Sequence, residues 1–379
     1  MGAMRKAISK TSGHVYKHAV KPQLFRQAPD DVHEKMIATG SRLMKLPLAR
    51  HLPRIIAYQN NRYLSQSVNG LPFSNPVGLS AGLDKNAEIV PLVKSIGFGF
   101  ATIGSITAEV CPGNPRPWFH RLPKQKSLVV HVGLANHGVL MTSRRLAGYK
   151  KTFFDNFPIV ASVAKTNSPK TCSDDEAIQD YVTSLQHLAD ENRVKVFELN
   201  ISCPNTYGGE PFTTPMRLGR LLDAVDRVDL HQPIWVKMPI NLPWAEFDAL
   251  LQVILKHRIA GVTIGNLNKD RSQIPTADLP VNVKGNLSGK PTEKLSNDLI
   301  AKTYAAYGER LTIIGVGGIF SAEDAYRKIC LGANLVELIT GMIFEGPQLI
   351  GQINRDIVSL LKADGFGNIS EAVGSRISR

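Results

Sequence analysis

Eight short apolar runs, separated mostly by stretches of helix length, occupy the chain from about residue 67 onward. Most of these runs end in Gly, Ser, Asn, Lys or Thr. Strand and helix alternating eight times is typical of a (β/α)8 TIM barrel, whose functional side chains gather at the carboxyl ends of the strands. The predicted strands cover residues 77–80, 101–104, 159–163, 196–200, 234–237, 261–264, 312–316 and 335–339.

The main alternative to a barrel is a doubly wound parallel sheet. That fold usually carries a GxGxxG motif after an early strand, and the sequence has none. We therefore predict an α/β chain in two parts: an N-terminal helical extension at residues 1–66 and a barrel domain at residues 67–379.

The first 66 residues are strongly basic. They hold twelve Lys and Arg residues against three acidic ones, a net charge of +9 out of +13 for the whole chain. Such a segment can bind anionic lipid, nucleic acid or an acidic partner. Because no nucleic-acid-binding motif accompanies the charge, we expect peripheral contact with an anionic membrane and no nucleic acid.

Two helices are predicted within this segment. Asp31 and Glu34 have the spacing of a capping box and should open the first helix, which Pro47 should end or kink. Pro53 starts or interrupts a second, basic helix. The apolar residues of the two helices are Val32, Met36, Leu43, Leu46, Ile55, Ile56 and Tyr58. The pair is either a hairpin packed on the barrel with a solvated basic face or a surface that lies on a membrane.

Cysteine usage and hydropathy exclude several classes of protein. The four cysteines are widely spaced and form no CxxC pair. This pattern favours a reducing compartment and argues against a disulfide framework or a metal site. No run of eighteen apolar residues is present, so no membrane-spanning helix is expected.

The fourth predicted strand runs directly into reactive groups. Its continuation, Asn200-Ile201-Ser202-Cys203-Pro204-Asn205, supplies amides, hydroxyl and thiol, and a glycine pair then predicts a mobile loop. Three roles are open for Cys203: a nucleophile, a general base or a buried structural residue. A nucleophilic Cys usually needs a nearby His, for which His131 and His137 are candidates. As a base, its ordinary pKa of about 8.5 suits proton abstraction near neutrality.

Glycine-rich turns surround the ends of the last two predicted strands. Glycine lets backbone N–H groups converge on an anion, which is how many barrels bind phosphate. The predicted phosphate-binding residues are Ser288, Gly289, Gly317, Gly318, Thr340 and Gly341. The alternative is that these glycines serve only tight turns.

Two lysines and three amides also lie at predicted strand ends. Lys85 follows the first strand, and Lys237 ends the fifth within an apolar run, where a buried ammonium needs an anionic partner. Asn200, Asn205 and Asn266 supply paired donors and acceptors that suit a planar, imide-like ligand. Together these residues predict a binding site rather than isolated salt bridges.

In combination, these motifs resemble those of the dihydroorotate dehydrogenases, flavoenzymes that oxidise dihydroorotate to orotate in pyrimidine synthesis. The resemblance covers nearly the whole chain, and it rests on the combination because each motif alone is weak. The motifs are Asn75-Pro76-Val77-Gly78-Leu79-Ser80-Ala81-Gly82-Leu83-Asp84-Lys85, Pro112-Gly113-Asn114-Pro115-Arg116-Pro117, Asn200-Ile201-Ser202-Cys203-Pro204-Asn205, Leu287-Ser288-Gly289 and Ile314-Gly315-Val316-Gly317-Gly318.

The resemblance implies FMN in the barrel mouth, with dihydroorotate and orotate as ligands. Residues that would contact FMN are Ala81, Gly82, Ser105, Ser162, Asn200, Lys237 and Gly265, with Ser288, Gly289, Gly317, Gly318, Thr340 and Gly341 near its phosphate. Residues that would hold orotate are Lys85, Asn200, Asn205 and Asn266. Cys203 would be the base that takes a proton from C5 of dihydroorotate as hydride leaves C6 for the flavin.

The class within the family is mixed. The N-terminal segment, notably Leu24-Phe25-Arg26, resembles the membrane-associated class that reduces a quinone, and Arg121 matches an arginine of its quinone tunnel. That class normally has a serine base and a tyrosine where this chain has Ile339. The cysteine base and Gly133-Leu134-Ala135-Asn136 instead resemble the soluble class.

Three further positions depart from the family pattern. Val130 replaces a substrate-binding asparagine, Leu267 replaces a threonine beside Asn266, and Ser162 replaces a flavin-contacting asparagine of the quinone class. Losing one orotate contact costs about 1–3 kcal/mol if the partner group stays buried and unpaired. These departures bear on the substrate more than on the fold or FMN.

The leading hypothesis is therefore a quinone-linked, FMN-dependent dihydroorotate dehydrogenase, peripheral on the cytoplasmic face of the inner or cell membrane. A second hypothesis is a related flavoenzyme with another cyclic substrate or a soluble acceptor such as fumarate or NAD, which would be cytoplasmic. A third is a non-catalytic FMN-binding or membrane-scaffold protein. The presence of Cys203 together with Lys85 and the asparagines argues against this third hypothesis.

Overall fold

Thirteen strands are found in the computed structural model, which describes residues 2–45 and 61–378. They are β1 Gln66–Val68, β2 Leu71–Phe73, β3 Val77–Leu79, β4 Phe100–Ile106, β5 Phe119–Leu122, β6 Ser127–Val130, β7 Ile159–Val163, β8 Val194–Asn200, β9 Ile234–Met238, β10 Gly261–Ile264, β11 Asn286–Leu287, β12 Thr312–Val316 and β13 Leu335–Leu338. Eight of them close into a parallel barrel in the order β3-β4-β7-β8-β9-β10-β12-β13. All eight predicted strands are confirmed, with small differences at their ends.

Helices connect the barrel strands and cover the outside of the barrel. Their apolar faces and the outward-facing residues of the strands form the main core. Ser321 caps one of these helices, because its hydroxyl accepts a hydrogen bond from the Asp324 N–H at 3.2 Å. The α-helices after β3 are Val90–Ser95, Gly138–Ala147, Asp174–Ala189, Pro215–Asp226, Trp244–Ile254, Glu293–Tyr307, Ala322–Cys330, Thr340–Glu345, Leu349–Ala363 and Ile369–Ala372. Short 3-10 helices are Lys151–Phe154, Pro169–Thr171, Thr276–Asp278 and Lys290–Thr292.

The hairpin of β1 and β2 closes the amino-terminal end of the barrel. Its turn residues Asn69 and Gly70 have φ values of 50° and 76°, as a two-residue hairpin turn requires. Val68 and Phe73 pack against residues at the beginnings of the barrel strands, and these form a second apolar cluster. The members of this lower core from the barrel are Phe100, Val160, Val196, Trp235, Ile314 and Leu335.

A three-stranded antiparallel sheet of β5, β6 and β11 lies at the other, carboxyl end. β6 is the central strand, with Val130 opposite both Phe119 of β5 and Asn286 of β11. The sheet was not predicted, because its strands are short and β11 comes from a distant part of the chain. It forms part of the wall around the barrel mouth.

The N-terminal extension is helical in the part that the structure describes. It consists of α1 Gly2–Val15, a π-helix Tyr16–Val20, α2 Lys21–Phe25 and α3 Pro29–Leu43. The extension packs on the barrel: Tyr16 Oη donates to Ile343 O at 2.7 Å, and Gln352 Nε2 donates to Ser9 O at 3.1 Å. The predicted second helix, with Leu46, Pro47 and Pro53, lies outside the described residues.

The predicted capping box at the start of α3 is wrong. The helix begins at Pro29, and its cap residue Ala28 makes no side-chain hydrogen bond. Of the two predicted residues, Asp31 is exposed and Glu34 forms an ion pair with Arg116. The neighbouring Asp30 accepts from the Trp118 N–H through Oδ1 at 2.9 Å. The acids near the start of α3 therefore fix the helix to the barrel domain rather than capping it.

Two of the apolar residues predicted on the first helix, Met36 and Leu43, are 55% and 43% exposed. Leu64, by contrast, is fully buried in the main core. Among the helices in residues 2–45 and 61–378, none is both long enough and apolar enough to cross a membrane.

Candidate active site

Two cavities meet at the carboxyl end of the barrel. The smaller, of about 110 Å³, is lined by strand ends and glycine turns. The larger, of about 680 Å³, extends from the same strand ends to the helices of the N-terminal extension. Seven residues line both cavities: Ala81, Lys237, Asn266, Leu267, Ser288, Ile339 and Thr340. The barrel mouth and the extension therefore enclose one continuous site.

The predicted phosphate-binding residues all line the smaller cavity. Thr340 Oγ1 donates to Ser288 Oγ at 3.0 Å. The backbone N–H groups of Gly317, Gly318 and Gly341 have no hydrogen-bond acceptor among the described residues. A Cβ at Gly341 would overlap the Ile319 carbonyl, so only glycine fits there. Unpaired N–H donors beside two hydroxyl groups suit a phosphate.

The amide groups of two predicted residues form a network at the floor of the site. Asn200 Nδ2 donates to Ser105 Oγ at 2.8 Å, and Asn266 Nδ2 donates to both the carbonyl and the hydroxyl oxygen of Ser202 at 2.8 Å. Ser162 lines neither cavity; its Oγ lies 2.9 Å from Ser105 Oγ. Ser162 therefore supports Ser105 from behind.

Lys237 is buried at the junction of the two cavities, only 5% exposed. No hydrogen-bond acceptor in the described part of the chain contacts its ammonium. No carboxyl group forms an ion pair with it within the described residues, although its positive charge lowers the pKa of Glu337 in the barrel interior. The ammonium group is thus held where a ligand in the mouth can reach it.

The predicted substrate residues come together with Cys203 in the wall of the larger cavity, where Lys85, Asn200, Asn205 and Asn266 also lie. Burial raises the pKa of the Cys203 thiol to about 11, against the opposing influence of the Asn205 N–H. Within the described residues no histidine hydrogen-bonds the thiol. His131 Nδ1 lies 3.4 Å from Asn205 Oδ1, and His137 is exposed. The geometry therefore lacks the His partner of a Cys nucleophile.

Asn205 is held by three hydrogen bonds, one of them from Asn286, a residue that the sequence reasoning missed. Its Nδ2 donates to Val130 O at 3.0 Å, and its Oδ1 accepts from Asn286 Nδ2 at 3.1 Å. Asn114 Nδ2 donates to the Asn205 carbonyl at 3.0 Å. Asn286 directly precedes the Leu287-Ser288-Gly289 motif. Its place beside this motif is the sequence feature that could have identified it as a site residue.

Lys165 is a second missed residue. It follows β7 by two residues, the same pattern that pointed to Lys85 after β3. Its Nζ donates to the carbonyl oxygens of Tyr207 and Thr171 at 2.6 and 3.3 Å, which holds the loop after Cys203. Its positive charge also lowers the pKa of Cys203, as does that of Lys237.

Arg121 lies where the larger cavity meets the extension. Its Nη1 donates to the carbonyl oxygens of Phe25 and Gln27 at 3.3 and 2.7 Å, and its guanidinium lies 4.6 Å from the centre of the Phe25 ring. Much of the surrounding wall is apolar: Leu24, Val32, Met36, Ile37, Leu43, Leu92, Val130, Val132 and Leu267. Val130 and Leu267 thus present apolar side chains to the same cavity as the amides.

The fold and the site define a barrel enzyme with a phosphate-sized cleft, amide groups and a thiol at its mouth. The family model for dihydroorotate dehydrogenase matches residues 63–361. This chain belongs to the dihydroorotate dehydrogenase family.

Individual relatives are similar over nearly their whole length. A protein from Nostoc punctiforme named dihydroorotate dehydrogenase (quinone) is 33% identical, with 96% of this chain and 98% of the relative covered. A protein of the same name from Gloeobacter violaceus is 35% identical, with coverages of 94% and 98%.

Two crystal structures of DHODH from Eimeria tenella have the same fold. The complex with ferulenol has a TM-score of 0.79 and the ligand-free structure one of 0.80, both at 24% sequence identity. They cover 92% and 93% of this chain, and the match spans 95% and 100% of those chains. The likeness supports a TIM barrel preceded by an N-terminal helical extension.

Proposed function

We propose that this protein oxidises dihydroorotate to orotate in pyrimidine biosynthesis, with FMN as cofactor and a quinone as electron acceptor. The observation that carries the proposal is the shared wall of the two cavities. Lys237, Asn266 and Thr340 line both, so a cofactor at the strand ends would face substrate residues and the N-terminal helices alike. The relatives named dihydroorotate dehydrogenase (quinone) support the same reaction.

FMN, when bound, supplies the acceptor for the hydride. Its phosphate would be held by Ser288 and Thr340 together with the unpaired N–H groups of Gly317, Gly318 and Gly341. The ammonium of Lys237 supplies positive charge at the floor of the mouth. Further contacts are proposed from Ala81, Gly82, Ser105, Asn200, Gly265 and Gly289. Ser162 acts through Ser105.

The substrate would bind between the amides and Lys85. The Lys85 ammonium is the cationic partner for the substrate carboxylate, and it lines the larger cavity. Asn200, Asn205 and Asn266 supply donors and acceptors for the ring amides. Val130 and Leu267 pack against the ring as apolar surfaces.

Cys203 is the proposed general base. To accept the C5 proton it must be a thiolate, and burial opposes this form in the protein without substrate. The positive charges of Lys237 and Lys165 favour the thiolate, so both lysines assist Cys203 through their electrostatic fields. The absence of a His partner within the described residues favours proton transfer over covalent catalysis.

The larger cavity is the proposed route for the quinone. Its apolar wall from α2 and α3 suits a lipophilic ring, and Arg121 supplies a donor near the junction with the barrel. The basic residues of the extension would hold this side of the protein against an anionic membrane. Peripheral binding would bring the opening of the cavity to the lipid.

Anaerobic mixing of the purified protein with dihydroorotate tests this proposal. We expect a yellow protein with one FMN per chain, loss of flavin colour on adding dihydroorotate, and recovery of colour on adding a quinone. Colour that persists in dihydroorotate would indicate another cyclic substrate. Recovery with fumarate or NAD but not with a quinone would indicate a soluble acceptor. A colourless protein that takes up no FMN would overturn the proposal as a whole.

A further inference from the structure

One level of the barrel interior is polar. In TIM barrels the inward-facing side chains of alternate strands form layers, usually of branched apolar residues. Alternation along β4, β8, β10 and β13 places Thr102, Glu198, Thr263 and Glu337 inside the barrel. We call these four residues the polar layer; each is 0% exposed.

The polar layer lies between the lower core and the floor of the active site. Two residues earlier on β4, β8 and β13 are Phe100, Val196 and Leu335 of the lower core. On the other side, Glu337 lines the smaller cavity, and so does Lys237. The layer is therefore closed to solvent from below and adjoins the mouth above.

Most of the oxygen atoms of this layer are unpaired. Thr102 Oγ1 donates to Glu337 Oε1, and the nearby Ser80 hydroxyl group also favours the carboxylate form of Glu337, which lowers its pKa. The other carboxyl oxygen of Glu337, both carboxyl oxygens of Glu198 and Thr263 Oγ1 have no hydrogen-bond partner in the described part of the structure. Buried carboxyl oxygens without donors are rare, because an unpaired buried charge is strongly destabilising. Some further donor must satisfy them.

A proton is the donor that fits the charges. Lys237 is the only other charged side chain that faces this layer from the described barrel strands. Two carboxylates and one ammonium would leave one uncompensated negative charge in the interior. With one carboxyl group protonated, the three groups are neutral in sum, and the acid O–H can donate to an unpaired oxygen.

We propose that Glu198 and Glu337 share one proton and form a proton-binding site beneath the active site, which binds that proton more tightly when negative charge is placed above Lys237. Burial, followed by the charge of Glu198, raises the pKa of Glu337 to about 8, while Lys237 opposes the shift. A phosphate or a reduced cofactor bound in the cavity that Lys237 lines would add negative charge there. The pair then takes up a proton from solvent at pH values near 8.

Infrared spectroscopy of the purified protein tests the shared proton. The wild type should show the C=O stretching band of a protonated buried carboxyl group at pH 7, with an isotope shift in ²H₂O. Glu198→Gln or Glu337→Gln should each abolish the band, since the remaining carboxylate then pairs with Lys237 alone. Thr263→Val is the matched control in the same layer and should keep it. If the Gln variants do not fold, the wild-type band should still disappear as the pH rises through about 8.

Two infrared results would overturn the shared proton. The first is a wild type without the band. The second is a band that one Gln variant retains, because it would belong to a single independent acid. If the band is missing and the thermal midpoint rises with added NaCl or KCl, the layer binds a cation instead.

The effect of active-site charge on proton binding by Glu198 and Glu337 rests on the proposed function, and a separate experiment tests it. The reduction potential of bound flavin should fall more steeply with pH near pH 8 in the wild type than in Glu337→Gln, because the wild type takes up an extra proton on reduction. Equal slopes would overturn the link. If the protein binds no flavin, the proposed function fails, while the infrared experiment still decides whether the pair holds a proton.

Discussion

Nζ of Lys85 lies 2.8 Å from Nε2 of His33, which joins the turn after β3 to helix α3 of the extension. Burial, followed by the charges of Lys85 and Arg116, lowers the pKa of His33 to about 3. The imidazole is therefore neutral, and Nε2 accepts a hydrogen bond from the ammonium. Burial also lowers the pKa of Lys85 to about 8, with Asp84 and Asp30 opposing the shift.

Orotate affinity is predicted to fall as the pH rises through about 8, the pKa of Lys85. The carboxylate of orotate pairs with the ammonium form of Lys85, so the Kd should increase about tenfold per pH unit above that value. Isothermal titration calorimetry across this pH range measures the effect. Lys85→Arg stays charged and should bind with little pH dependence. A flat wild-type profile would exclude Lys85 as the carboxylate partner.

Cys203→Ala is predicted to slow flavin reduction by dihydroorotate by about 10²–10⁴-fold, as expected for the loss of a general base. FMN content should not change. Because only the thiolate accepts a proton and its pKa is raised to about 11, the wild-type rate at saturating dihydroorotate should still rise with pH above 8.5. Stopped-flow absorbance measures both effects. Cys172→Ala, at an exposed cysteine, is the control. Wild-type rates in Cys203→Ala would show that another group is the base.

Gly341→Ala is predicted to weaken FMN binding. The new Cβ would overlap the Ile319 carbonyl, and moving that backbone costs about 1–3 kcal/mol, or roughly 5- to 160-fold in Kd. Reconstitution of the apoprotein with FMN, followed by fluorescence, measures the Kd. Gly219→Ala is a matched control, since its Cβ would meet only Val253 Cγ1 at 3.9 Å. Equal FMN affinity in the two variants would contradict the assigned phosphate site.

Deleting residues 1–60 is predicted to abolish liposome binding and quinone turnover while leaving flavin reduction largely intact. The cut lies before Leu64, because that residue is buried in the main core. Liposome sedimentation and the two half-reactions, measured separately, provide the readouts. Binding of the intact protein should weaken with added salt and should require anionic lipid, so neutral liposomes are the control. Full quinone activity in the truncated protein would show that the extension only covers the cavity and is not needed for the reaction with quinone.

The barrel was predictable because each strand is a short apolar run that ends in a polar or small residue. Burial on both faces of a parallel strand requires such a run. The residues that line the mouth were also predictable, because they follow those strands directly. Lys237 lies near the end of β9, and Cys203 lies in the turn after β8. Both were therefore predicted at the mouth.

Contacts between distant parts of the chain were not predictable. Asn286 reaches Asn205 because β11 pairs with β6, and neither strand has a pattern that fixes this pairing. The capping prediction at Asp31 failed because the helix begins earlier, at Pro29, and Glu34 pairs with Arg116 of the barrel domain instead of turning back to the helix start. The polar layer was not predictable either, because the sequence does not show which strands lie opposite each other. Only the closed barrel shows this.

The wall of the larger cavity comes from two separate stretches of chain, the strand ends of the barrel and the helices of the extension. Substitutions in α2 and α3 alter the side that faces away from the amides, and substitutions at the strand ends alter the side around Cys203. Selection can therefore act on each side alone. During evolution, such a protein can exchange one electron acceptor for another while its substrate chemistry stays constant. It can equally change its substrate while it keeps its electron acceptor.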